Sequence, residues 1–234
     1  MSHPHGHSFA AVKALKETWD SEDKFLVYAV DEGHQEGFPF VVKSSRRKVK
    51  LMRNMDFEGD HRLREAVVHL DVIHSRTKGF KTYTLSYYDI PLQMLIKLCT
   101  MDTTSECKQT CAFFFKTINV MIQDLIEEED PSNDQPRMFN PYHLKDDENG
   151  GNKQAMAEIF GRKFVEERTS SCEFHFAENA KRHAKYVQTE PDRKEYYSLT
   201  KDMKDSTTEK EYEQSKRLLE ILIARQSPEN SKKL

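Results

Sequence analysis

The sequence predicts an α/β fold: a mixed five-stranded sheet, three strands antiparallel and two parallel, flanked by helices, with a short N-terminal strand and turn arm and C-terminal helices. Three observations predict it. Runs rich in β-branched and aromatic residues follow one another from Ala66 to Cys99 with short turns between them. A long stripe at three- and four-residue steps follows, through Cys107, Cys111, Phe114, Phe115, Ile118, Met121, Ile122 and Leu125. Beyond it, a strand, a Gly150-Gly151 turn and a second helix read as a crossover unit, which sets its strand parallel to the first.

The elements follow in order. Met1 to about Ser8 is polar and carries His3, His5 and His7, which reads as a flexible terminus although such a cluster can hold adventitious metal. Phe25–Val30 and Phe38–Val42 read as two short strands, with Pro39 confining the second to an edge or to its own start. Ser45–Lys50 is the only dense basic run; it suits a nuclear-import signal, a phosphate-binding patch through Arg46, Arg47, Lys48 and Lys50, or a solvated face. Ala66–His74, Phe80–Tyr88 and Leu92–Cys99 make an antiparallel meander, turned at Ser75–Gly79 and Asp89–Pro91.

Thr103 and Glu106 have capping-box spacing and predict the start of the long helix. Cys107 and Cys111 read as small buried hydrophobes of its stripe, with a chelating pair as the alternative. The fourth strand is Met138–Lys145, interrupted by Pro141, and it delivers Asp146 and Asp147 to its carboxyl end, where α/β sites form. Ala155, Met156, Ile159 and Phe160 face inward from the next helix. A fifth strand over Thr169–Phe176 leads to a helix near Glu178–Val187; Cys172 and His175 could share a metal only if that strand ends between them. Ser206 and Glu209 suggest a further capping box, before a stripe of Tyr212, Leu219, Leu222 and Ile223. The organisation therefore reads as a flexible tail over 1–18, an arm over 19–64, a core over 65–188, and a partial helical insertion with its tail over 189–234.

Composition narrows the function classes. Lys and Arg number 36 against 39 Asp and Glu, a net charge of −3, so a global basic field for nucleic acid is absent and any such affinity is local. Four cysteines without CxxC spacing, and no leader-like apolar segment, predict a reducing intracellular compartment; no apolar run approaches a membrane span.

The informative residue is Asp71, an acid inside the apolar run Val67–Ile73. A polar group left unpaired in such a place costs about 1–3 kcal/mol or more. A divalent cation shared with a second carboxylate removes that cost. The strand pattern brings Asp71 and Asp147 onto neighbouring strands, the layout of a ribonuclease-H-like metal site.

His69-Leu70-Asp71-Val72-Ile73-His74, Gly79-Phe80-Lys81-Thr82, Asp147-Glu148-Asn149-Gly150-Gly151-Asn152 and Cys172-Glu173-Phe174-His175-Phe176, in this order and spacing, resemble the catalytic domain of Mutator-like (MULE) DNA transposases over residues 20–225. The resemblance implies a ribonuclease-H-like core in which a DDE triad holds two Mg²⁺ or Mn²⁺ ions about 3.5–4 Å apart for phosphodiester cleavage and strand transfer. It matches Asp71 to the first acid, Asp147 to the second, and Cys172 with His175 to the (C/D)xxH motif before a helical insertion. Asp146 lies one residue from the match. It further implies DNA, in the form of transposon ends, as partner, a nuclear location and a homo-oligomer. The third acid, a glutamate beyond the insertion, has no counterpart: Glu178, Glu190, Glu209 and Glu213 suit a solvated helix face. Three readings stay open: a truncated, catalytically incomplete transposase domain; a domesticated DNA-binding or regulatory protein without catalysis; and a metal-free interaction module in which His74 or backbone donors satisfy Asp71.

Overall fold

The computed structural model describes residues 9–77, 79–132, 137–146 and 150–233. The first unit, ending at Cys172, runs α1 (Phe9–Asp23), β1 (Ala29–Glu32), β2 (Pro39–Lys43), α2 (Arg46–Arg53), β3 (Val67–Thr77), β4 (Phe80–Asp89), β5 (Met94–Thr103), α3 (Lys108–Glu129), β6 (His143–Asp146), α4 (Gly150–Phe160), α5 (Arg162–Arg168) and β7 (Thr169–Ser171). The second, from Glu173, holds α6 (Glu173–Ala184), α7 (Glu190–Asp205), α8 (Glu209–Ala224) and α9 (Pro228–Ser231).

Alternation builds the sheet. Val68, Leu70 and Val72 of β3 are buried, as are Tyr83, Leu85 and Tyr87 of β4, Met101 of β5 and Leu144 of β6. They share one apolar cluster with Cys111, Phe114, Phe115, Ile118, Met121, Ile122 and Leu125 of α3. Each large apolar side chain buried there contributes about 1.5–3 kcal/mol. The stripe read from the sequence is thus the face α3 turns to the sheet. Thr82 to Tyr87 of β4 are buried without interruption, the signature of a strand covered on both faces.

The seven strands lie in the order β1-β2-β5-β4-β3-β6-β7. β3, β4 and β5 form the antiparallel meander, and β6 returns parallel to β3, with Val68 beside Leu144 and His69 beside Lys145. β7 pairs parallel to β6. The predicted count of five strands is corrected to seven, because the arm joins the sheet. Without β2, the outer edge of β5 would present unpaired backbone groups; β2 covers it antiparallel, with Phe40 opposite Thr103 and Lys43 opposite Thr100. Pro39 is the first residue of β2, where its missing N–H costs no ladder bond.

Other expectations shift. The stretch 1–18, expected to be flexible, is helical from Phe9; Ala11 is buried and the Phe9 ring lies 6.0 Å from that of Phe80. Thr103 ends β5 rather than capping α3, and Cys107 is the N-cap. Pro141 delays the fourth strand to His143. The fifth strand stops at Ser171 and a helix starts at Glu173. The predicted capping box is displaced by two residues: Ser206 Oγ turns back to Asp202 O at 2.6 Å, while Thr208 and Glu211 make the reciprocal cap of α8. The break expected at 188/189 falls at 172/173, because Ala184 and Val187 belong to a small second core with Tyr196, Leu199 and Leu222. Of the stripe predicted for α8, only Leu222 is buried.

Leu144 sits where the parallel return meets the core, so Leu144→Ala should lower unfolding stability by about 2–5 kcal/mol. A reduced urea midpoint at unchanged slope checks it. Leu92→Ala, on the exposed β4–β5 turn, should stay within about 0.5 kcal/mol of the parent.

Candidate functional site

Because successive side chains alternate, His69 and Asp71 leave β3 on the face opposite Leu70 and Val72, away from α3. Asp71 is partly buried rather than sealed in the apolar core, which corrects the dry setting inferred from its neighbours. Thr84 stands directly opposite Asp71 and Ser86 opposite His69. On the other side of β3, His69 lies level with Lys145 and Val67 with His143. His143 Nε2 is 2.8 Å from Ser170 Oγ on β7. One sheet face therefore gathers His69, Asp71, Thr84, His143, Lys145 and Ser170. Burial first, and then the charge of Lys145, push both imidazoles below the ordinary histidine pKa; Arg168 adds to this at His143. Both rings are neutral at neutral pH.

Asp146 belongs to the other face. It is buried with Leu144, its Oδ1 accepts from Asn152 Nδ2 of α4 at 3.0 Å, and its carbonyl accepts from Cys172 N at 2.7 Å. It ties β6, α4 and the end of β7 together. Asp147, with Glu148 and Asn149, lies outside the described residues. Among the described residues no three His, Cys, Asp or Glu side chains converge on a candidate ion position.

Cys172 ends the first unit, and His175 lies in the first turn of α6 in the second, so the pair straddles the division; the strand ends before both, not between them. His74 Nε2 lies 3.3 Å from Glu106 Oε2, which also takes Lys81 Nζ at 3.2 Å. Among the acids that suit a solvated face, Glu178 pairs with Lys181, Glu190 with Arg193 and Lys194, and Glu213 with Lys216.

The basic run forms α2 and is neutralised in part; Arg47 is exposed and takes part in no ion pair among the described residues. Arg46 pairs with Glu128, and Lys50 and Arg53 with Glu129, at the carboxyl end of α3. Acids there face the negative helix terminus, and the cations of α2 relieve that repulsion. Hydrogen bonds from Lys24 to Glu128 and from Arg53 and Lys50 to Glu129 hold both carboxyl groups below the usual range. Arg46 and Lys50 are therefore committed within the fold. Lys48 instead lines a small pocket with Lys43 and Lys97, two lysines that the spacing of the sequence did not connect to it.

Cys107 is the N-cap of α3 and partly exposed, correcting its place in the buried stripe; Cys111 is buried. Burial raises the Cys107 thiol, but hydrogen bonds from the Ser105 and Thr110 side chains and the Thr110 and Gln109 amides outweigh it and hold its pKa below the ordinary value. A cavity of about 1080 Å³ opens at the amino end of β6, lined by Phe57, Asn140, Phe160, Lys163 and Arg168 among others. Its Arg168 is committed: Nε donates to Tyr142 O at 2.9 Å, and the guanidinium sits 4.4 Å from the Phe57 ring. No helix among the described residues is long and apolar enough to cross a membrane.

Two outcomes follow from these environments. Iodoacetamide should label Cys107 well before Cys99 and Cys111 in the folded chain, as peptide mapping would show, because only Cys107 of the three combines access with a favoured thiolate; equal rates would contradict it. His69 and His143 have folded pKa values below the unfolded one of about 6.5, so as pH falls below about 6.5 the unfolded state takes up protons that the native state refuses. Stability should therefore fall on acidification from that point, and melting curves of His143→Gln should show a shallower fall than the parent.

No protein-family model matches the chain, and no curated protein or solved structure matches it.

Proposed function

We propose that the chain is a ribonuclease-H-like domain of the Mutator-like (MULE) transposase type, which holds Mg²⁺ or Mn²⁺ through Asp71 and Asp147, contacts DNA, and does not cleave or join it as these 234 residues. One observation carries the reading. Within the larger sheet, β5-β4-β3-β6-β7 run with three strands antiparallel and two parallel, and Asp71 lies on the central strand. That is the arrangement the resemblance implies.

The described side chains fit a hard cation in part. Thr84 Oγ1, buried directly across from Asp71, has no hydrogen-bond partner among the described residues, and an oxygen placed there suits an ion or its water. Asp102, on the same face but two strands from Asp71, is paired with Lys43, so the proposal depends on Asp147 for the second carboxylate. Asp146, turned to α4, is not a candidate for it. When bound, such ions stabilise the attacking and leaving oxygens of a phosphodiester. On this face His69 and His143 are neutral, while Lys145 places one positive charge beside them.

Calorimetry with Mn²⁺ tests the site. The parent should show binding that Asp71→Asn and Asp147→Asn abolish, with the circular dichroism of the parent retained, while Glu178→Gln leaves it unchanged. Undiminished binding by Asp71→Asn would overturn the site. On supercoiled plasmid with Mn²⁺ the parent should not nick; metal-dependent nicking that disappears in Asp147→Ala would mean that a further ligand such as Glu148 completes a triad.

A second reading has its own observation. Tyr88, Ile90, Leu92, Met94 and Leu95 crowd the β4–β5 hairpin with their apolar surface exposed, Ile90 to 76%. Patches of this kind mark protein partners more often than nucleic acid. A chain that binds no Mn²⁺, yet whose self-association in sedimentation is lost in Ile90→Ser with Leu92→Ser, would be the metal-free interaction module.

A further inference from the structure

The ion pairs of α2 engage Arg46 and Lys50 and leave Lys48 lining a pocket. β2 ends at Lys43, opposite Thr100 of β5, and Ser44 Oγ donates to Leu98 O at 2.6 Å as the chain turns into α2. On β5 the register slips between Cys99, opposite Leu85, and Lys97, opposite Ser86, so that Leu98 is an extra residue and the strand bends. These two features bring Lys43, Lys48 and Lys97 around one pocket of about 200 Å³, whose other walls are Ser44, Leu98, Cys99 and Thr100.

No carboxylate lines this pocket. Asp102, which accepts from Thr82 Oγ1 at 2.6 Å, pairs with Lys43; among the described residues neither Lys48 nor Lys97 takes part in an ion pair. The surroundings thus retain an excess of positive charge in a concavity, where low-dielectric walls concentrate the field. Burial pushes the Cys99 thiol up to about 12, so the wall adds no negative charge. The volume is below the range of about 300–1,000 Å³ usual for drug-sized ligands and suits a single compact anion with its water.

We propose that Lys48 and Lys97, beside the Asp102-paired Lys43, form a phosphate-binding pocket at the β2–β5 pair, away from the β3–β6 junction that carries Asp71, and that it takes one phosphate group, supplied either by a nucleic-acid backbone or by a small phosphorylated ligand. The pocket stands independently of the metal site; only its nucleic-acid arm draws on the reading above. Lysine suits this role as a point charge that needs no bidentate geometry.

The test uses the full chain in EDTA, so that the state of the Asp71 site cannot alter the result. Pyrophosphate binding is measured by calorimetry, and binding of a fluorescent DNA duplex by anisotropy across a salt series, for the parent, K48Q, K97Q and K50Q. K48Q and K97Q should each weaken duplex binding about eightfold at 0.1 M salt, since each phosphate contact on B-DNA contributes about 0.9 to the logarithmic salt slope, and each should also weaken pyrophosphate binding. K50Q should match the parent, because Lys50 is paired with Glu129. Loss in both the pyrophosphate and duplex assays assigns the pocket to a nucleic-acid backbone, and loss for pyrophosphate alone assigns it to a small phosphorylated ligand. Failure of the parent to bind either probe, or an equal loss in K50Q, overturns the proposal. Unchanged melting temperatures in K48Q and K97Q separate lost binding from lost folding.

Discussion

The burial of one stripe of α3 under the meander is the constraint from which the rest of the first unit follows. Phe114, Phe115, Ile118, Met121, Ile122 and Leu125 leave water only if β3, β4 and β5 present their own apolar face, and they do so through Leu70, Tyr83, Leu85 and Met101. With α3 laid across the sheet, the chain is carried back to the edge of β3 and enters it parallel as β6, because a crossover helix returns a strand in the direction of its predecessor. Leu144 then extends the apolar face, and alternation sends His143 and Lys145 to the other one. The polar cluster around Asp71 is thus a consequence of packing on the opposite side of the sheet. A slip of one residue in β6 would exchange the roles of Leu144 and Lys145 and bury a cation.

Charge is distributed by the same helix. Glu128 and Glu129 end α3 where its dipole disfavours acids, and Lys24, Arg46, Lys50 and Arg53 gather there in response. Exposed pairs contribute modestly one by one, about 0–1 kcal/mol each, but this network engages Arg46 and Lys50 of the basic run. What remains of the run is Arg47, which is exposed, and Lys48, which lines a pocket with lysines drawn from two strands. The near-neutral composition and a local basic pocket are therefore compatible.

Much of this fold was legible in the sequence. The β-branched and aromatic runs at Ala66–His74 and Phe80–Tyr88, and the three- and four-residue steps from Cys111 to Leu125, each concern contacts that the pattern itself encodes, and Pro39 named the boundary of β2 because its ring forbids an earlier ladder bond. What escaped was settled by partners distant in sequence. Nothing in Phe38–Val42 says that it will cover β5, and nothing in Phe9–Asp23 announces a helix, since its apolar residues form a weak stripe and Ala11 alone is buried. The capping residues were displaced for two reasons: Thr103 is held in β5, which leaves the N-cap position of α3 to Cys107, and Ser206-x-x-Glu209 has in Thr208-x-x-Glu211 a neighbour of equal merit. At the candidate site, His69 and Asp71 could be placed on one face from their spacing. His143, Ser170, Lys43 and Lys97 could not, because the register between strands distant in sequence and a β-bulge are invisible to local periodicity.

The central claim is that the Asp71 face at the junction of β3 and β6 is where a divalent cation sits. Paramagnetic broadening of amide signals during a substoichiometric Mn²⁺ titration of the ¹⁵N-labelled chain reads that position without requiring activity. The account predicts that amides of Leu70 to Val72 and of Lys145 and Asp146 broaden first and together, and that none of them does so in Asp71→Asn. Early broadening confined to residues remote from that junction, with the β3 and β6 amides sharp, would contradict it.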